Sequence, residues 1–374
     1  MKKMKETYKA LFEPLRLRSG KELKNRIVMA PMGNWGSLPG GFISEEELTY
    51  YGPRVKDAGM IITSATTFTE GEHYPGAPAA LTDEHIPGLK KLSSLLKSNG
   101  AVAILQLFHG GALKMKNPEA PSAVAPENSD AEPPHELTDS EIEDLIKKFG
   151  DATRRIIEAG FDGVEIHGAN GYLMQQFISP HYNRRQDRWG GTFEKRLAVP
   201  LALIKEAKKA RAESGKSFAI GYRISPEEQF TNGLTMADAI QIVDVLADQE
   251  LDYIHVSLHN FFSKPRRGIE SKRSRMEILK ELVGNRTALI GVGEITTPEQ
   301  AASALSSGVE LVALGRALLL DPNWLNKVRE GREDQIKNKL FHKDLPELLF
   351  PKKMWEHPDI LPLIQDTNNL NELT

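Results

Sequence analysis

In the stretch VEIHGANGYL, residues 164–173, a short apolar strand runs into His167 and then, across small residues, into Asn170 and Tyr172. A neutral imidazole and a carboxamide each offer an N–H donor, and three residues apart at a strand end they can converge on one oxygen. Similar groups stand at other strand ends: Gln106 and His109 at the end of AVAILQLF, Arg223 at the end of FAIGYR, and His255, Ser257 and His259 around the end of DYIHVS. Each also has a plain structural use. A histidine at a strand end can be a hydrogen-bonded packing residue, Asn170-Gly171 an ordinary turn, and Gln106 a filler of the sheet end. Arg223 can pair with Glu165, which alternation sets on the same strand face as His167. GVGE (291–294) and LGRALLLDP (314–322) point elsewhere. Their glycines let backbone N–H groups approach an anion, and Arg316 can grip it through two parallel hydrogen bonds. They describe a phosphate clamp, or glycines that relieve packing at tight turns; Gly291 and Gly293 lack the third glycine of a dinucleotide fingerprint.

These groups need a scaffold that brings strand ends together. Eight short apolar strands recur, RIVMAP (26–31), MIITSAT (60–66), AVAILQLF (101–108), DGVEIHG (162–168), FAIGYR (218–223), DYIHVS (252–257), TALIGVG (287–293) and ELVALGR (310–316). Segments between them carry helical apolar spacing, one opened by a capping box of Thr138 and Glu141 and one with Pro298 in its first turn. Gly59, Gly100, Gly160, Gly284 and Gly308 stand where helices should stop in a left-handed cap. Strands too apolar for a one-sided sheet, alternating with helices, indicate a parallel sheet covered by helices. Closing eight units gives a (β/α)8 TIM-type barrel over about residues 24–332, with an open doubly wound sheet as the rival. PLRLRSGKELKNR, turning at Ser19-Gly20, predicts a hairpin that caps the N-terminal end of the barrel. The loop at 112–137 follows the third strand and should lie over the mouth as a lid. The tail at about 345–374 falls outside the barrel pattern and packs either on the barrel or on a neighbouring subunit. The whole chain, 1–374, reads as one barrel domain.

With 374 residues, 40% hydrophobic, the chain can bury a large core, and a net charge of -3 gives no field for nucleic acid. It has no cysteine, which excludes disulfides, thiolate nucleophiles and thiolate-held metals. MKKMKETYKALFEP has the lysines of a signal peptide but no apolar run, and no stretch is long enough to span a membrane. The expectation is a cytoplasmic protein; a homo-oligomer stays open.

A barrel of this type builds its site at the C-terminal strand ends. A phosphate clamp at one side and hydrogen-bonding side chains across the mouth suit a ligand with a polar ring and a phosphate tail, and FMN fits. Gln106 can pair with the amide edge of the ring. Arg223 can hold the edge where negative charge gathers on reduction. His167 and Asn170 are left for the oxygen of a substrate.

LFEPLRLRSGKELKNRIVMAPM, QLFHGG, DGVEIHGANGYLMQQFISPHYNRRQDRWGGTFEKR, YRISPEE and LVALGRALLLDP together resemble the old yellow enzyme family of FMN-dependent oxidoreductases, over roughly residues 11–332. The resemblance implies a barrel that holds FMN, is reduced by NADH or NADPH, and acts as an ene-reductase on activated C=C bonds of enones or nitro compounds. It implies that Pro31, Met32, Gly33, Ala65, Gln106, Arg223, Gly293, Gly315 and Arg316 occupy flavin positions. His167 and Asn170 match the pair that binds the substrate oxygen, and Tyr172 matches the proton donor. Gly33 stands where many members carry threonine or cysteine, Trp35 where some have a substrate-facing tyrosine, and FEKR replaces the more usual Phe-Glu-Asn-Arg. Lacking the cysteine-rich and nucleotide-binding domains of the dienoyl-CoA reductase relatives, the chain is expected to be a one-step flavin exchanger. Two rivals remain: a metal-dependent barrel lyase or hydrolase with His109, His167, His255 or Glu165 as ligands, and a non-catalytic flavin or phosphate-ligand binder.

Overall fold

Short strands with apolar residues on both faces can bury both only inside a closed sheet sheathed in helices, and that is the architecture of this chain. A computed structural model describes residues 3–71, 73–113, 116–126, 132–358 and 360–365. Its strands are β1 (Leu15–Arg16), β2 (Glu22–Leu23), β3 (Ile27–Met29), β4 (Met60–Ile62), β5 (Thr66–Thr67), β6 (Val102–Phe108), β7 (Glu119–Ala120), β8 (His135–Glu136), β9 (Gly163–Gly168), β10 (Ala219–Ile224), β11 (Tyr253–Ser257), β12 (Ala288–Val292) and β13 (Leu311–Leu314). β3, β4, β6, β9, β10, β11, β12 and β13 follow one another around a parallel barrel, closed where Val312 of β13 pairs with Ile27 of β3. Seven of the eight barrel strands fall within the spans expected from sequence, β10 runs one residue further to Ile224, and the open doubly wound sheet is excluded by this closure.

Alternation decides what fills the barrel. Val28, Ala30, Met60, Ile62, Val102, Ile104, Ala219, Tyr253, Ile290, Leu311 and Ala313 form one apolar interior cluster. The antiparallel β1–β2 hairpin adds Leu17 and Leu23 to it, so the expected N-terminal plug is present. Continuing up the same faces, two residues at a time, the inward positions become Gln106, Glu165, His167, Arg223 and His255. Register sets them side by side: Gln106 opposite Glu165, and Arg223 opposite both His167 and His255. The interior is therefore apolar below and polar at the C-terminal mouth. The outward faces join a larger core with the surrounding helices, including Phe149, Ile156, Leu203, Ile242 and Leu246.

Local signals account for most element ends. Thr138 and Glu141 form the expected capping box at the start of the helix Asp139–Glu158, and Pro298 opens the helix Pro298–Ser306. Gly100, Gly160, Gly284 and Gly308 adopt positive φ as expected, but Gly59 does not. Gly59 is required for a different reason: a Cβ there would stand 2.3 Å from the carbonyl oxygen of Asn25. Within the lid, β7 pairs with β8, and Arg185 ties its base by donating to the carbonyls of Pro121 (2.8 Å) and Leu137 (2.5 Å). Residues 114–115 and 127–131 of that loop lie outside the described residues. The tail packs on the barrel. Arg54 donates to the carbonyl of Leu348 at 3.0 Å, and Leu340 and Ile364 form a β-bridge. Among the described residues no helix is long and apolar enough to cross a membrane.

Leu23 is 0% exposed at the foot of the barrel. Leu23→Ala should destabilise the protein by about 2–5 kcal/mol in urea unfolding; a loss below about 1 kcal/mol would show that the hairpin is not part of the barrel core.

Candidate functional site

Over the polar end of the barrel lies a cavity of about 530 Å³, lined by Pro31, Met32, Gly33, Trp35, Ala65, Gln106, His167, Asn170, Tyr172 and Arg223. Ten residues singled out from sequence thus meet in one place. His73, Tyr74, Pro75, Phe108, Leu113, Lys116 and His357 complete the wall. Leu113 and Lys116 come from the lid and His357 from the tail, so both segments reach the mouth.

Local backbone geometry fixes the donors. The amide N–H of Ala169 donates to His167 Nδ1 at 3.3 Å, which leaves the proton of the neutral ring on Nε2. Burial drives His167 well below the ordinary histidine range, and the neighbouring charge of Arg223 pushes the same way. Asn170 has φ 59°, the left-handed region that asparagine tolerates and a turn out of β9 demands. Its N–H donates to Ser225 Oγ at 2.9 Å. Ser257 and Ser225 hydroxyls donate to Asn170 Oδ1 at 3.0 and 3.3 Å, and Ser257 Oγ itself accepts from Arg223 Nη2 at 3.1 Å. With its oxygen held, the amide presents N–H groups on its other side. Tyr172 packs edge-on against Phe108 (4.7 Å between centroids) and His167 (5.0 Å).

Beneath these donors, Glu165 accepts from Gln106 Nε2 at 2.6 Å and from His255 Nδ1 at 3.0 Å. Glu165 is thus engaged by Gln106 and His255, with the buried Tyr253 phenol, itself raised by burial and by Glu165, close by, while Arg223 donates to Ser257. Burial alone would raise the Glu165 carboxyl, but His255, Arg223 and Gln106 outweigh it and hold it below the usual value. His255 is lowered by burial, partly countered by Glu165. Of the histidines named as metal ligands in the rival reading, His255 bonds to Glu165, His167 faces the cavity, and His109 turns away with Nε2 at 3.4 Å from Glu119. Among the described residues no three or more His, Asp or Glu side chains are grouped as a metal site requires.

Gly33 and Trp35, two departures noted separately in the sequence, are one feature in the structure. A Cβ on Gly33 would come 3.3 Å from the Trp35 ring, so the indole fills the space a larger residue would take. Trp35 in turn stacks on His357 at 3.7 Å.

The other expected positions lie along the mouth. Gly293 and Arg316 line a cavity of about 440 Å³ with Lys339 and Glu294, and Arg316 is paired with Glu294 at 3.5 Å. Gly315 lies between the two ends, its Cβ position 3.6 Å from Met32 Sδ. A further cavity, lined by Ser225, Ser257, Arg266 and Arg275, shares Asn170 with the first and Asn260 with the second. The three cavities therefore adjoin one another along the mouth, from the polar pocket to Gly293 and Arg316. Gly293, at φ 148°, has Phe261 N only 2.6 Å from its Cβ position, so backbone alone fits there. Arg267, in the loop that follows β11, donates to the carbonyls of Thr231 (2.8 Å) and Glu228 (3.0 Å) and lines none of these three cavities.

Sequence reasoning missed the wall from 73–75 and His357. His73 accepts from Gly110 N–H at 3.1 Å, and Tyr74 donates to Ala65 O at 2.7 Å. Both come from a loop with no periodicity, and only the YP pair at 74–75 hinted at a fixed turn.

Comparison with known proteins gives the family and the fold. The sequence profile of the NADH:flavin oxidoreductase / NADH oxidase family matches residues 10–335. The chain is 48% identical over 365 residues to the probable NADH-dependent flavin oxidoreductase YqiG of Bacillus subtilis, covering 94% of this chain and 96% of that one. It is 41% identical over 330 residues to an NADH:acrylate oxidoreductase of Vibrio harveyi, covering 85% of this chain but 33% of that longer protein. The old yellow enzyme homologue of Zymomonas mobilis superposes with a TM-score of 0.75 at 26% identity, over 91% of this chain and 96% of its own.

Burial holds His73 (at about 3), His109, His167 and His255 below the ordinary histidine value. The unfolded chain protonates these rings near pH 6.5, so below about that pH unfolding takes up protons and stability falls, by up to about 1.4 kcal/mol per pH unit for each ring. Urea unfolding at about pH 7.5 and about pH 5.5 should show this loss; equal or greater stability at the lower pH would contradict the neutral assignment.

Proposed function

The chain belongs to the NADH:flavin oxidoreductase / NADH oxidase family, that of the old yellow enzymes, and from that premise we propose that it is an ene-reductase acting on α,β-unsaturated carbonyl or nitro compounds. The observation that carries the reading is the paired donors: His167 with its proton on Nε2 and Asn170 with its oxygen held by two serines, both on the wall of one cavity. FMN held in this cavity would supply the redox chemistry, hydride exchange between NADH or NADPH and the β carbon of the activated alkene.

The residues present fit that cofactor. Buried Arg223 has Nε without a hydrogen-bond partner among the described residues, as a guanidinium waiting for an acceptor edge would. Pro31, Met32, Gly33, Ala65, Gln106 and Arg223 would hold the ring, and Gly293, Gly315 and Arg316 the phosphate further along the mouth.

His167 and Asn170 donate to the carbonyl or nitro oxygen and stabilise the negative charge that builds there as the β carbon is reduced. Kept neutral by burial, His167 orients a dipole without competing as a proton source. Tyr172 transfers its hydroxyl proton to the α carbon, so hydride and proton together saturate the double bond. Trp35 and His357 bound the space left for the substrate. A relative named for acrylate supports an activated alkene as acceptor, although this chain matches only a third of that protein's length.

Rapid-mixing measurements of the two half-reactions test the assignment. His167→Ala should slow alkene reduction about 10²–10³-fold, the size of a lost oxyanion donor. Tyr172→Phe should slow alkene reduction and spare reduction by NAD(P)H. Wild-type alkene reduction in His167→Ala, or equal slowing of both half-reactions in Tyr172→Phe, would overturn these roles.

A further inference from the structure

The reaction as derived makes no use of Glu165, the carboxylate set deepest in the barrel at 0% exposure. Removing an ion from water costs several kcal/mol, so a barrel does not bury one without a compensating set of partners. Packing does not demand it: one layer down the interior is filled by apolar side chains such as Ile62 and Ile104. Its partners are Gln106 at 2.6 Å and His255 at 3.0 Å, and both stand in the layer that floors the ring cavity.

The chemistry of those bonds has two consequences. A carboxylate only accepts, so Gln106 must turn its NH2 toward Glu165, and its carbonyl oxygen is left for the cavity that Gln106 lines. Similarly, His255 donates from Nδ1, leaving a bare Nε2 that has no partner among the described residues. The second consequence concerns charge. His167 and His255 are neutral, so the buried layer holds one cation, Arg223, and one anion, Glu165. They share no ion pair within 4.0 Å among the described residues, yet in a layer with little water each feels the other.

We propose that Glu165 is a positioning residue for the flavin, which locks the Gln106 amide with its oxygen toward the ring and offsets part of the Arg223 charge beneath it. The inference rests on FMN lying in the ring cavity, as in the proposed function. Glu165 lowers the reduction potential of the bound flavin, because a buried negative charge disfavours the electron-rich reduced form. A carboxylate that served only packing would affect stability and leave the cofactor's potential alone.

The test compares wild type, Glu165→Gln and Glu165→Asp as purified FMN-loaded proteins, by potentiometric titration and by FMN binding to the apoproteins. Glu165→Gln keeps the shape and loses the charge. Its flavin should become easier to reduce by about tenfold in the redox equilibrium, about 30 mV upward for a two-electron couple. Its FMN affinity should also fall severalfold, because the Gln106 amide is no longer forced into one orientation. Glu165→Asp keeps the charge and should restore the wild-type potential. Should Glu165→Gln fail to fold, wild-type infrared difference spectra on flavin reduction at about pH 7 give the second readout, with the carboxylate expected to stay ionised. An unchanged potential in Glu165→Gln, or protonation of a buried carboxylate on reduction, overturns the inference. A wild-type protein that binds no FMN would instead overturn the reading of the cavity.

Discussion

An ion that is cut off from water must be answered by fixed partners, and the mouth of this barrel buries two. Glu165 and Arg223 stand in the polar layer where eight strand ends converge, and most of the site can be read as the arrangement that satisfies them. Glu165 orders Gln106 and His255; Arg223 orders Ser257, and Ser257 in turn orders Asn170. The second of these sets of bonds runs from the buried Arg223 to Asn170 at the rim. A site built on strands in this way is held more stiffly than one built on loops alone, because each strand is bonded to two neighbours.

Closure of the sheet is what makes the layer possible. Parallel strands all present their C-terminal ends on one side, so residues separated by some 60 to 90 positions, such as Gln106, Glu165 and His255, become neighbours. Below them the alternating apolar residues and the hairpin leucines exclude water. Above them the lid and tail narrow the mouth with Leu113, Lys116 and His357. Polar groups at intermediate depth are thus desolvated on one side and open to a ligand on the other, the condition under which a hydrogen bond or a cation has its largest effect on a reacting oxygen.

Much of this was legible in the sequence because it follows short-range rules. Strand spans, the capping box at Thr138 and the hairpin about Ser19-Gly20 follow from periodicity and turn chemistry. The motif around His167 carried the donor pair, and alternation alone set Glu165 on the face of His167. What escaped depends on long-range approach. Gly59 looked like a helix stop, whereas its role is to admit the backbone of Asn25. Gly33 and Trp35 looked like two independent departures, and only the fold shows that one ring fills the other's space. His357 joins the site through a tail with no barrel periodicity, and no local pattern could connect it to Trp35. Arg223 had an evident partner in Glu165 by strand face, yet the carboxylate is committed to Gln106 and His255.

The central claim is that His167 and Asn170 jointly grasp an electron-rich oxygen directly over the flavin. Titrating the purified FMN-loaded protein with a phenol, while recording its visible spectrum, tests this most directly, since a phenolate places such an oxygen on an aromatic ring. The account predicts a long-wavelength charge-transfer band that saturates in the wild type and is lost when either donor is replaced by alanine. A flavin spectrum that the phenol leaves unchanged, or a band that survives removal of both donors, would contradict it.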